Sequence, residues 1–248
     1  MIFIKTPEEV NVMRKANFIV RDTLLMVRDR IKAGVTTAEV DRWVKEYIES
    51  KGAVPSCLGY GGFPASTCIS IDDVVVHGIP SSKKYIEEGQ IVGVDLCAYI
   101  DGYHGDSART FMIGKVSEEK KRLVETAEEA FFEGIKDITS ASRLGDISGR
   151  IQAFVESRGY SVVRALTGHG IGREMHEDPA VPNYGVVGRG LRLHHGMTIA
   201  VEPMINLGKY DVYTERDGWT VRTKDHSPSA HYENTIVVWD DGVEILTM

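Results

Sequence analysis

The sequence predicts an α+β fold in which two pseudo-symmetric halves share a central antiparallel sheet flanked by helices. Three observations carry this. Capped amphipathic stripes alternate with short apolar runs that read as strands. The stretch from Gly89 to Gly114 reads as a hairpin, with arms Ile91 to Tyr99 and Tyr103 to Ile113 around an Asp101-Gly102 turn signal. A two-copy repeat links the halves. Tyr47-Ile48-Glu49-Ser50-Lys51-Gly52 recurs 107 residues later as Phe154-Val155-Glu156-Ser157-Arg158-Gly159, and Gly89 to Asp95 matches Gly196 to Glu202 at the same offset. His77-Gly78-Ile79 recurs as His169-Gly170-Ile171 at a shorter one. One domain spanning residues 1–248 is expected, with halves of about 1–115 and 116–248.

In the first half, Thr6 is an N-cap, Pro7 takes the first helical position and Glu9 closes a capping box. Met13, Ala16, Val20, Leu24, Val27 and Ile31 follow as one apolar stripe, ended by Gly34. Thr36 to Glu39 is a second box. It leads into Val40, Trp43, Val44, Tyr47 and Ile48, stopped by Gly52. Pro55 to Pro64 is a Gly-rich loop with aromatics, and strands are expected at Ser66 to Ile71 and Val74 to His77. In the second half, Ser117 opens a helix carrying Leu123, Ala127, Ala130 and Phe131. Another carries Ile147, Ile151, Phe154 and Val155 and stops at Gly159. Strands are expected near Ser161 to Arg164, Thr198 to Asn206, Thr220 to Arg222, Tyr232 to Trp239 and Val243 to Leu246.

Composition narrows the function classes. A net charge of -7 argues against nucleic acid as a specific partner, because that affinity rests on Lys and Arg neutralising phosphates. Arg14, Lys15, Arg21, Arg28 and Arg30 on the first helix are interspersed with acids and read as a solvated face. No apolar run is long enough to span a membrane, and no signal-peptide pattern opens the chain, so a cytoplasmic location is expected. The three cysteines lack CxxC spacing, which suggests neither a disulfide framework nor a zinc ribbon.

The hairpin carries the chemistry. A turn at Ile100-Asp101 sets Asp95 opposite Asp106; a turn at Asp101-Gly102 makes them diagonal neighbours. Either register puts both carboxylates on one face. Asp95 lies in an apolar run, and two carboxylates there repel unless a cation stands between them. The plainer alternative is that each caps a turn or pairs with Arg109. The repeat extends the metal reading. It brings Glu202 to the same centre as Asp95, brings in His77 and His169 from opposite sides, and makes Glu233 the partner of Asp106. Four carboxylates with imidazole call for two divalent cations, and mixed N and O donors suit Mn, Fe, Co, Ni or Zn rather than Ca.

The motifs CLGYGGFPASTCISIDDVVVHGIP, VDLCAYIDGYHGDSARTF, GHGIGREMHEDP, GMTIAVEPM and DGWTVRTKDHSPSAHYENTI span nearly the whole chain. Together they closely resemble the type I methionine aminopeptidases of peptidase family M24, in the short bacterial form, whose fold is the pita-bread (creatinase/aminopeptidase) fold. The resemblance implies that Asp95, Asp106, His169, Glu202 and Glu233 ligate two metals, with Asp106 and Glu233 bridging. It gives His77 to substrate contact rather than to metal, and places His176 at the scissile peptide. Cys57, Tyr60, Phe63, Cys68, Met175 and Trp219 would line the pocket for the methionine side chain, whose thioether suits soft and aromatic walls. Phe63 stands where many members have Tyr, and Met175 where many have Phe.

The expected reaction is removal of an N-terminal methionine, with a small uncharged residue behind it, by attack of a metal-activated hydroxide on the first peptide carbonyl. Glu202 is the expected proton acceptor, His176 the donor to the oxyanion, and His77 the contact on the leaving side. A monomer acting on nascent polypeptides, in transient contact with the ribosome, is the implied setting. Three other classes share parts of the pattern: a binding scaffold without catalysis, an X-Pro peptidase, and an oligomeric structural protein.

Overall fold

Both capping boxes form in the computed structural model, which describes all 248 residues. Thr6 Oγ1 accepts from the Glu9 N–H at 3.2 Å, and Glu9 Oε2 accepts from the Thr6 N–H at 3.0 Å. This pair starts α1, Pro7–Arg30; Thr36 and Glu39 start α2, Thr37–Ser50, in the same way. Ser117 caps α3, Glu118–Ile135. α4, Leu144–Ser157, begins where the Asp146 carboxylate accepts from the Arg143 N–H at 2.7 Å.

The central sheet has nine strands. Its path runs Val54–Pro55, Ile91–Ile100, Tyr103–Met112, Glu233–Val238, Met197–Val201, Thr167–Gly170, Glu177–Pro182, every pair antiparallel. Cys68–Ile71 adds to Ile91–Ile100, and Val243–Ile245 to Glu233–Val238. The hairpin closes on Asp101-Gly102, both at positive φ (53° and 87°), the signature of a type I′ turn. Asp95 therefore faces Ala108 and Asp106 faces Cys97, so the two aspartates are diagonal neighbours.

Alternation along these strands divides the sheet into two faces. Val92, Val94, Leu96 and Ala98 join Val20, Leu24 and Val27 of α1 and Val40, Val44 and Ile48 of α2 in one core. Ile199, Val201, Ile236 and Val238 join Leu123, Ala127 and Phe131 of α3 and Ile147, Ile151 and Val155 of α4 in another. Each buried Val, Leu or Ile contributes roughly 1.5–3 kcal/mol. Gly105 permits the close docking of α1, because a Cβ there would stand 2.7 Å from the Asn17 nitrogen. The helices cover one face and leave the other for polar chemistry.

The strands depart from the sequence expectation in several places. The expected strand from Thr198 to Asn206 divides at Pro203, which has no N–H for the ladder. Its second piece, Met204–Asn206, leaves the central sheet and pairs with Ser229–His231 and Ser161–Val162 in a small sheet of its own. Thr167–Gly170 and Glu177–Pro182 are strands that glycines and prolines concealed in the sequence. Lys5 and Glu177 form an ion pair with side chains only 4% and 3% exposed, tying the N-terminal segment to the loop ahead of Glu177. No helix is long and apolar enough to cross a membrane.

Candidate active site

Two neighbouring rows of side chains cross the uncovered face. In the first, strand pairing aligns Cys68, Asp95, Ala108 and Glu233. In the second, Cys97 pairs with Asp106, the Thr235 hydroxyl donates to the Asp106 carbonyl at 2.9 Å, and Ala200 lies between Thr235 and His169. Directly paired residues share a face, so every donor in these rows points the same way. Ala108 and Ala200 fill little volume between the donors and leave the floor open. Asn234 pairs with Val201, so Glu233 and Glu202 come side by side where both strands cross between sheets, next to Pro203.

Distances describe a cluster short of positive charge. His169 Nε2 lies 3.6 Å from Asp106 Oδ2 and 3.7 Å from Glu202 Oε1. Its Nδ1 donates to the Gly170 carbonyl at 2.8 Å, which leaves Nε2 as the nitrogen facing the carboxylates. Arg109, offered by the sequence as an aspartate partner, turns away on the Val94 face. It donates to the Glu233 carbonyl at 2.6 Å and to Asn234 Oδ1 at 2.7 Å. Asp106 Oδ1 is buried without a hydrogen-bond partner. Burial, then the neighbouring carboxylates, pushes Asp95 and Glu233 well above the usual carboxylate range. Burial raises Glu202 to about 8 against the opposing pull of His169. Burial alone would lower His169, but Asp106 and Glu202 outweigh it and raise it to about 9. Oxygen-rich donors with imidazole, an orphaned carboxylate oxygen and mutual repulsion fit divalent cations. Asp106, His169 and Glu233 present ligand atoms within 4.8 Å of one another.

The same charges predict how stability responds to pH. Glu202 supports the fold fully below about 4.5, its ordinary value, and that support is lost as pH rises through about 8. His169 gives full support below about 6.5 and loses it through about 9. His176 and His231, both lowered by burial, give their full support only above about 6.5. In chelator, the melting temperature is therefore expected to fall between pH 6.5 and 9, and added cobalt(II) to restore it most at the alkaline end. Calorimetric scans across that range check this; equal melting temperatures at both ends in chelator would contradict charge crowding.

Beside the cluster, the chain encloses a cavity of about 140 Å³, room for one side chain rather than a large ligand. Its 14 lining residues include all thirteen that the sequence nominated. Asp95, Asp106, His169, Glu202 and Glu233 form one end. Cys57, Phe63, Cys68, Met175 and Trp219 form the wall, with Phe63 and Trp219 edge to face at 5.2 Å. Tyr60 and His176 stand at the mouth, joined through Tyr60 Oη and His176 Nδ1 at 2.7 Å. With the hydroxyl donating there, the proton on His176 sits on Nε2. Partial burial, then the charge on His169, lowers His176 to about 4 and keeps it neutral at physiological pH. His77 lies in the same cavity across from Trp219, ring centroids 6.4 Å apart, and outside the groups that could hold a metal. It holds φ at +59°, a conformation a non-glycine residue keeps only where its surroundings impose it.

Two residues escaped the sequence reading. Cys97 is the fourteenth lining residue; it stands two positions after Asp95, and period two alone would have placed it there. His231 stands two before Glu233, buried, with Nε2 3.8 Å from both Glu202 Oε2 and Glu233 Oε2. The change of sheet between His231 and Glu233 hid it. Burial lowers its pKa to about 3.

Comparison with known proteins places these observations. The model of "Metallopeptidase family M24" matches residues 11–240. A methionine aminopeptidase of Clostridium acetobutylicum is 52% identical over 248 residues, covering 100% of this chain and 99% of that protein. The crystal structure of methionine aminopeptidase from Rickettsia prowazekii superposes with a TM-score of 0.98 at 44% identity, covering 100% of both chains. That from Thermotoga maritima gives 0.98 at 45% identity, over 100% of this chain and 99% of that one.

Proposed function

The chain belongs to metallopeptidase family M24, and from that membership together with its likeness to methionine aminopeptidases along its whole length we infer that it removes the N-terminal methionine from polypeptides in a metal-dependent hydrolysis. One observation carries the assignment to this cavity: a sulfur-and-aromatic wall for a thioether opens directly onto a cluster of carboxylates and imidazole. Two divalent cations per chain are the proposed complement. They would be held by Asp95, Asp106, His169, Glu202 and Glu233, which converge on one end of the cavity. The halves, about 1–115 and 116–248, each bring two of the four carboxylates to a single domain.

Bound divalent cations supply Lewis acidity, acidifying a water and polarising the scissile carbonyl. Glu202, beside His169, accepts the proton of that water and returns it to the leaving nitrogen. His176, its Nδ1 fixed by Tyr60, donates from Nε2 to the carbonyl oxygen as charge builds there. His77 contacts the peptide on the leaving side. Cys57, Phe63, Cys68, Met175 and Trp219 enclose the methionine side chain and exclude water from it. A small uncharged second residue is the preferred neighbour, a reading supported by likeness to methionine aminopeptidases.

His176→Ala is expected to lower kcat by about 10²- to 10³-fold and to change KM far less, as loss of a transition-state contact does. Steady-state kinetics check it; a raised KM with kcat intact would make His176 a binding residue only. Met-Ala, Met-Gly and Ala-Pro peptides test the activity itself. Cleavage of the two methionyl peptides alone is expected, and cleavage of Ala-Pro alone would overturn the assignment in favour of an X-Pro peptidase.

A further inference from the structure

The centre has a second buried imidazole that the five-residue ligand set leaves out. His231 is 4% exposed. Its Nε2 is buried with no hydrogen-bond partner, at 3.8 Å from one oxygen each of Glu202 and Glu233. Those distances are too long for hydrogen bonds and leave room for an ion among the three groups. The ligand atoms of Asp95, His231 and Glu233 lie within 4.8 Å of one another, as do those of Asp106, His169 and Glu233. Each group has one aspartate and one histidine, and both share Glu233. The His231 backbone is held in place from Thr110: the His231 N–H donates to Thr110 Oγ1 at 3.0 Å, and the Thr110 hydroxyl donates to the His231 carbonyl at 2.8 Å. Pairing of His231 with Met204 holds it from the other side.

We propose that His231 is a metal ligand, so that the two cations each receive one imidazole: His169 on the Asp106 side and His231 on the Asp95 side. This rests on the two-cation reading above and adds a sixth residue to it. A neutral imidazole binds a divalent cation through a ring-nitrogen lone pair, and Nε2 is the His231 nitrogen that faces the carboxylates. A nitrogen donor at both positions favours cobalt(II), nickel(II) or zinc(II) over manganese(II) in the second site as well as the first.

X-ray absorption on the unmutated protein loaded with cobalt(II) is the direct test, because imidazole has a distinct multiple-scattering signature. Two imidazoles per two cobalt ions are expected. Calorimetric titration with cobalt(II) alone adds a second measurement. His231→Gln is expected to bind one cobalt with affinity unchanged, to bind the other at least about tenfold more weakly, and to lose one imidazole from the spectrum. Two cobalt ions with a single imidazole in the unmutated protein would overturn the role of His231 and leave the two-cation reading standing. No cobalt uptake, or uptake with no imidazole at all, would remove that reading and this proposal with it. The unmutated spectrum decides the matter even if His231→Gln proves poorly folded.

Discussion

Glu202→Gln is expected to reduce turnover of a Met-Ala peptide by about 10²- to 10⁴-fold, the usual scale for removing a general base. The amide keeps the shape of the carboxylate and cannot take a proton. A second effect separates this outcome from simple damage. In chelator at pH 9, Glu202 is held ionised against burial, because its pKa stands at about 8. The amide carries no such charge, so the variant should melt higher than the parent at pH 9 and much closer to it at pH 6. Parallel kinetics and melting curves test both halves. Near-parental turnover would strip Glu202 of its role, and equal destabilisation at both pH values would mean the substitution had only disturbed packing.

Lys5→Ala should produce the largest loss of stability. The pair it forms with Glu177 is almost wholly out of water, and removing one partner leaves a buried, uncompensated charge. Such losses run to about 3–5 kcal/mol, or about 10 °C in melting temperature for a chain of this size. Glu177 also accepts from the Arg173 N–H at 2.8 Å, and that turn carries Met175 and His176 into the cavity. A rise in KM should therefore accompany the loss. The double change Lys5→Met with Glu177→Leu should recover most of the stability, since neither charge is then stranded. A melting temperature within 2–3 °C of the parent for Lys5→Ala alone, a shift of about 1 kcal/mol, would mean that water reaches the pair.

Much of the site could be read from the chain because it sits on regular strands. Asp95 and Asp106 lie on a hairpin whose two-residue turn is written in Asp101-Gly102, and period two fixes the rest. Both capping boxes were legible for a similar reason: the partners are three residues apart and need nothing from the remainder of the fold. Where distant segments decide the structure, the signal fades. His169 lies on a strand only because Met197–Val201 and Glu177–Pro182 flank it, and the sequence Thr167-Gly168-His169-Gly170 has no strand preference of its own. His231 was missed because its backbone belongs to one sheet while its side chain serves another. Treating His77 and His169 as equivalents followed the repeat too closely. His77 lies across from Trp219 in a left-handed backbone conformation and belongs to none of the donor groups that could hold a metal.

The tight turn at Asp101-Gly102 gives the hairpin a parity. With two residues in the bend, odd-numbered Asp95 and even-numbered Asp106 look the same way. A single glycine inserted between Asp101 and Gly102 has two outcomes. Absorbed as a bulge, it leaves the far arm in phase and the carboxylates together. Carried into the arm, it rolls every later side chain over, sending Asp106 toward α1 and turning Gly105 away from the helix it must touch.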